Sequence, residues 1–342
     1  MGYPTCHPDA PPLSDRLTLL RLRAQLAACD AGPLSIAFGT TLHGALGRAL
    51  KLAVCSFPDP EHRPCPGCLA LARCPYPGLF EPQPDKDAGR GGGTPPPALL
   101  LAPYGPTPAG AAIGTTLAMD LALVGTATVA LPLVLAVLER MVAAGLGPAR
   151  LPFTVVRVDA LDAHGRATAA VQIGPRLSGQ APEPIRSAEW FVHADQGAAS
   201  GRVLLRVTTR MRLQHEGLAS RQPPAFVDLA RALVRRADAL ARAHGGEAAP
   251  FPDPRRWLAA AGQIRLAEAA IRWEAHQRRS ASTGHTMPLD GFVGTLAYEG
   301  PPEVLGVFLP LLALGEAIGV GRGCSFGNGR YQREHTSGRH PT

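Results

Sequence analysis

Lysine is almost missing from this sequence: of its 34 lysines and arginines, only Lys51 and Lys86 are lysines. The surplus over 27 Asp and Glu, a formal net charge of +7, is therefore arginine, whose planar fork suits phosphate. That permits a nucleic-acid partner without proving one, because a chain rich in Ala, Gly and Pro can also carry arginine through coding bias. Aromatics are scarce as well, at 5%, which argues against a ladder of base-stacking side chains, and Trp257 and Trp273 read as core. The opening MGYPTCHPDAPPLSD has no basic segment leading into an apolar one, so a secretory signal is not expected and the cytoplasm is. No HExxH pair occurs, which removes a common zinc-hydrolase pattern.

Apolar residues are plentiful, at 46% of 342, enough for a sizeable core in one or two domains. The uncharged run from Leu121 to Leu138 is long enough to suggest a membrane span, but Gly125, Thr126, Thr128 and Pro132 interrupt it. A strand feeding a buried helix has the same look, and no membrane partner is expected. Strands are predicted at Leu17–Ala27, Ala98–Tyr104, Thr115–Val124, Leu151–Asp159, Arg166–Ile173, Gly201–Leu213 and Gly291–Tyr298. Helices are predicted at Gly39–Val54, Val129–Ala144, Phe226–Ala243, Trp257–Gln277 and Val304–Ile318. Two cycles of strands flanking helices, without sustained alternation, favour an α+β class over a doubly wound sheet. The expected units are 13–149 and 150–333, with a Pro- and Cys-rich insertion at about 55–84 and a polar tail at 334–342.

Cys55, Cys65, Cys68 and Cys74 are spaced C-x9-C-x2-C-x5-C. Four thiolates around a C-x2-C knuckle can close on a tetrahedral zinc, with His62 as a substitute ligand, and such a site is structural. The other reading is reduced loop thiols without metal. Cys6, Cys29 and Cys324 lie outside the module and read as ordinary small residues. Near the end, Gly319 to Tyr331 holds five glycines, at 319, 321, 323, 327 and 329. It follows a helix and leads to the last strand, so it is no dinucleotide fingerprint. Its backbone amides suit a phosphodiester, with Arg322 and Arg330 adding charge, or its glycines serve a tight connection needing positive φ.

Three blocks together resemble the CRISPR precursor-RNA processing endoribonucleases of the repeat-associated mysterious protein superfamily. They are Gly291-Phe-Val-Gly294 continuing through the apolar Val304–Glu316 into Gly319–Tyr331, Leu42-His-Gly-Ala-Leu-Gly-Arg-Ala-Leu50, and Cys65-Pro-Gly-Cys68 with Cys74-Pro-Tyr76 and Leu79-Phe80-Glu81-Pro82. The last is similar to a cysteine insertion carried by one branch of the family. The resemblance spans roughly 13–331. It implies tandem ferredoxin-like, RNA-recognition-type folds, the first bearing a small zinc insertion. It also implies metal-independent cleavage of CRISPR repeat RNA by 2′-OH attack, leaving 2′,3′-cyclic phosphate and 5′-OH ends, with no catalytic metal.

The same resemblance points to His43, on the first helix, as the catalytic histidine. Lys51, two helical turns on, is the expected cation for the crowded phosphorane. Relatives of the cysteine-bearing branch often have arginine at the position of His43 and histidine at that of Arg48. The expected RNA contacts are Arg48, Arg278, Arg279, Ser280, His285, Gly319, Gly321, Arg322, Gly323 and Arg330, and His276 is a further candidate histidine. Arg206, Arg210 and Arg212 fall on one face of a strand, and Arg231, Arg235 and Arg242 and Arg265, Arg272 and Arg279 on helical faces. These stripes could track an RNA backbone but, taken singly, read first as solvated faces with local pairs. Besides the enzyme, two roles remain open: a repeat-binding subunit that cuts slowly or not at all, with effector subunits as partners, and a backbone subunit of an RNA-guided effector.

Overall fold

The computed structural model describes residues 17–34, 38–61, 64–84, 94–186, 189–192, 200–215, 218–245, 254–279 and 286–334. The first strand, β1 (Leu19–Ala28), shows how the first unit is built. Its side chains alternate: Leu20, Leu22, Ala24 and Leu26 enter one core, while Leu19, Arg21 and Arg23 face the other way. Helix α1 (Phe38–Val54) closes over that core with Leu42, Leu46 and Leu50 on one stripe. There follow β2 (Leu99–Tyr104), β3 (Thr116–Val124), α2 (Leu131–Ala143), β4 (Phe153–Leu161) and β5 (Ala167–Ile173). The strands form one antiparallel sheet in the order β2-β3-β1-β4-β5, extended by Arg176–Leu177. The order of its first four strands is the ferredoxin-like arrangement, with α1 and α2 on one face.

The stretch Gly125–Ala143 is long and apolar enough to cross a membrane by length and composition. Here its α2 part packs Leu131, Val134, Leu135, Leu138 and Met141 into the first core. The division expected between residues 149 and 150 is displaced. Strand β4 pairs with β1 from Arg21↔Leu161 to Ala28↔Phe153, so the first unit runs to about Leu177. The Gly145-Leu-Gly-Pro148 cluster, which ends the helix, is a turn between α2 and β4, closed by mutual hydrogen bonds of Leu146 and Leu151 at 2.8 and 3.0 Å.

The second unit repeats the arrangement with β6 (Arg202–Met211), α3 (Phe226–His244), α4 (Pro254–Ala261), β7 (Arg265–Glu274), β8 (Gly291–Glu299), α5 (Pro302–Ile318) and β9 (Tyr331–Glu334). Its sheet runs β7-β8-β6-β9, antiparallel throughout. The helix expected over Trp257–Gln277 is corrected to a short helix and a strand. Gly262 ends α4, and Arg265–Glu274 pairs with β8, placing Ile271 and Trp273 against the core. Arg265 and Arg272 therefore sit on an edge strand. Helix α5 is apolar almost all round because it is covered on both sides. The second core extends into the open face of the first sheet, taking in Leu19, Leu100, Ala122 and Val124.

Candidate active site

His43 stands where the two units meet. Its ring stacks on Phe80 of the insertion, with centroids 4.3 Å apart and planes at 26°, and meets Phe326 of the glycine-rich loop edge-on at 4.5 Å. The imidazole is hydrogen-bonded to the backbone of Ser325. Arg278 closes the cluster from the second unit, its Cζ 4.5 Å from the Phe326 ring centre. Helix α1 admits these neighbours because Gly39, His43 and Gly47 recur every four residues and share a face. A Cβ on Gly47 would overlap the Phe80 ring, and one on Gly39 would overlap the Phe326 carbonyl oxygen. Burial, with the nearby Arg278 charge, pulls His43 down to about 3, against the Ser325 hydrogen bond. At neutral pH the ring is therefore an uncharged imidazole.

Lys51 follows two turns along α1, and its Nζ lies 5.7 Å from the Tyr76 ring centre on the wall of the cysteine cavity. Tyr76 and Phe80 are 5.6 Å apart, so the structure groups Lys51 with the cysteines, two rings removed from His43. Arg48 is committed to Glu61, with donors at 2.9 and 3.1 Å from one carboxylate oxygen. Arg279 follows Arg278 in the short strand Gln277–Arg279, which pairs with Thr286–Pro288. Ser280, His285 and the substitute ligand His62 lie outside the described residues. His276 is half-buried, and burial with the charge of Arg210 lowers its pKa.

In the glycine-rich loop, Gly319, Gly321 and Gly323 all have positive φ. At Gly321 and Gly329 the need is steric as well, since a Cβ would strike the Arg212 and Val320 carbonyl oxygens. The loop is pinned internally: the Arg322 and Gly329 amides donate to the carbonyls of Arg212 and Arg210. The Arg322 side chain is exposed, whereas Arg330 is buried and donates from Nη1 to the Glu316 and Ala317 carbonyls at the end of α5. The basic stripe on β6 is neutralised, because Arg206, Arg210 and Arg212 pair with Glu334, Glu274 and Asp290. Arg231 and Arg242 likewise pair with Asp228 and Asp238, and Arg265 and Arg272 with Glu299 and Glu274.

Cys55, Cys65, Cys68 and Cys74 all line one cavity of about 180 Å³. All are free thiols, and the Cys68 amide donates to the Cys65 carbonyl at 3.0 Å, closing the C-x2-C turn. Burial raises the Cys65 thiol, with Cys74 and Cys68 adding to the rise against the pull of Lys51. The donor set suits zinc, but the thiols do not converge. Among the described residues, no three His, Cys, Asp or Glu side chains stand close enough to hold a metal ion.

Phe80, like Phe326, is a neighbour of His43 that sequence reasoning did not single out. Its available signal was the four-residue spacing Gly39, His43, Gly47, which marks a face of α1 kept clear for close neighbours.

Residues 205–331 match the family model described as CRISPR-associated endoribonuclease Cas6, and residues 17–181 match an N-terminal domain model, AF_1859_N. No curated protein sequence matches the chain. Among solved structures, the product complex of Cas6 (TTHB231) from Thermus thermophilus aligns with 93% of this chain and 99% of its own, at 18% identity and a TM-score of 0.50. The partial Cas6-RT-Cas1–Cas2 complex and the Cas6-RT-Cas1–Cas2 complex each align with 95% of this chain, at 12% identity and a TM-score of 0.59. The aligned part is 47% and 30% of those longer chains. At such identities the likeness establishes a shared fold.

Proposed function

We propose that the chain is a Cas6-type CRISPR-associated endoribonuclease, the family whose model its residues 205–331 match, and that it binds the repeat RNA of a CRISPR transcript and cuts it without a catalytic metal. One observation carries this reading: an uncharged imidazole held between a helix of one unit and the glycine-rich loop of the other. In the proposed step His43 takes the proton of the 2′-OH as the 2′-oxygen bonds to phosphorus. The bond to the 5′-oxygen breaks and that oxygen takes a proton from solvent, to which His43 returns the one it accepted, giving a 2′,3′-cyclic phosphate and a 5′-OH. No water is consumed. Burial is the main cause that depresses His43, and the incoming phosphate offsets the second, the Arg278 charge, making the ring a better base when substrate is present. Arg278 is then the cation best placed to steady the phosphorane, a role expected of Lys51 from the sequence.

The test is single-turnover cleavage of repeat RNA in EDTA. His43→Ala is expected to slow it by about 10²–10⁴-fold, the usual contribution of a general base, and a 2′-deoxy nucleotide at the scissile position should block it. Full cleavage by His43→Ala overturns the assignment. A second reading, in which the chain grips the repeat and does not cut, is favoured by the rings of Phe80 and Phe326, which cover the imidazole. An uncut substrate, bound as tightly by the native chain as by His43→Ala, would establish that reading.

The same proposal includes one structural zinc, held by Cys55, Cys65, Cys68 and Cys74 once their thiols close on the cavity they line. It would brace the insertion that carries Phe80 and take no part in cleavage. Metal analysis of the purified chain is expected to find one zinc, lost in Cys65→Ser. CRISPR effector subunits as partners and a cytoplasmic location complete the proposal.

A further inference from the structure

A second cavity, of about 320 Å³, lies between the units and is lined by none of His43, Phe80, Phe326 or Arg278. Five arginines border it, Arg21, Arg23, Arg166, Arg330 and Arg333, against two carboxylates, Asp120 and Glu316. Both carboxylates are already engaged: Asp120 accepts from Arg23 at 2.7 and 3.1 Å, and Glu316 from Arg333 at 3.1 Å. Arg21, Arg166 and Arg330 are left with no carboxylate partner among the described residues.

Two of these three are deep in the protein. Arg21 is 6% exposed and Arg330 7%. The partners of their Nη1 atoms are backbone carbonyls, those of Asp162 and Ala163 for Arg21 and of Glu316 and Ala317 for Arg330. The Nε of Arg330 has no hydrogen-bond partner among the described residues. Burial lowers the affinity of both guanidiniums for their protons, that of Arg330 to about 10. Carbonyl dipoles offset part of the cost of burying such charges, but a counter-charge is what ordinarily completes the balance. Three surplus positive charges facing one polar cavity exceed what a single carboxylate neutralises. The cavity is also roomy enough for a tetrahedral group together with the moiety that carries it, and guanidinium forks grip phosphate oxygens in pairs.

We propose that this cavity is a phosphate-binding site in which Arg21, Arg166 and Arg330 hold one phosphate group. The group is either a phosphodiester of bound RNA or the phosphate of a small molecule. The site is separate from His43 and stands or falls independently of cleavage there.

Thermal melts of the full chain in inorganic phosphate, against chloride at matched ionic strength, test it. Phosphate should raise the Tm by several degrees and saturate. Arg166→Gln, on an exposed turn where folding is not at stake, should weaken that response at least tenfold in phosphate concentration, and Arg21→Gln should do the same. If phosphate also competes with repeat RNA and Arg166→Gln weakens RNA binding about tenfold, the occupant is an RNA phosphodiester. If RNA binding ignores both changes while phosphate stabilisation still needs Arg166, it is a small-molecule phosphate. Phosphate that stabilises no more than chloride overturns the proposal, and so does stabilisation that survives both substitutions.

Discussion

His43 couples the site to the stability of the fold. In the folded chain its ring holds a proton only below about pH 3, whereas an unfolded histidine takes one up below about 6.5. Between those values the unfolded chain binds more protons, so the neutral ring's contribution is complete above about 6.5 and is lost as pH falls toward 3. Urea melts of the native chain and of His43→Gln, which cannot titrate, should therefore diverge: between pH 7 and pH 4.5 the native chain loses more stability. Parallel curves would mean the ring is not held neutral. At this scale the sequence was a partial guide. The place of His43 on the first helix was legible, but the Phe80 that covers it sits among prolines and cysteines, where nothing local marks a contact with His43, more than thirty residues earlier in the chain.

At the scale of elements, α1 is a helix with one face cleared of side chains. Gly47→Ala places a methyl where the Phe80 ring lies, an overpacking expected to cost about 1–3 kcal/mol and to displace the ring from His43. A lowered urea midpoint together with slower single-turnover cleavage would show both effects. If stability falls and cleavage does not, the Phe80 stack is packing alone. Gly44→Ala is the control, because its Cβ meets open space. Strand β7 shows why pattern reading fails for some elements. The run Leu266–Trp273 is alanine-rich and fits a helical face as well as a strand, and pairing with β8, some twenty-five residues on, decides between them. The partners of the arginine stripes were hidden for a related reason: Arg206 and Arg212 pair with Glu334 and Asp290, which lie 128 and 78 positions away in sequence.

The whole molecule was legible as two cycles of strands and helices because each cycle keeps its own period. Its division was not, since the Gly145–Pro148 cluster marks the end of a helix and only the pairing of β4 with β1 shows that the first unit continues past it. The second core takes in Leu19, Leu100, Ala122 and Val124 of the first sheet, so the two units share apolar packing and are expected to unfold together. Leu100, 1% exposed on the open face of the first sheet, belongs to both. Leu100→Ala should cost about 2–5 kcal/mol and lower protection against hydrogen exchange by the same amount in β1 and in α5. Loss confined to the strands would show that the units unfold separately. Arg278, Ser325 and Phe326 come from one unit and His43 from the other, so a junction that opens independently also takes the imidazole away from its partners. Cleavage by Leu100→Ala should accordingly fail at the temperature where that common protection is lost, below the melting temperature of the native chain.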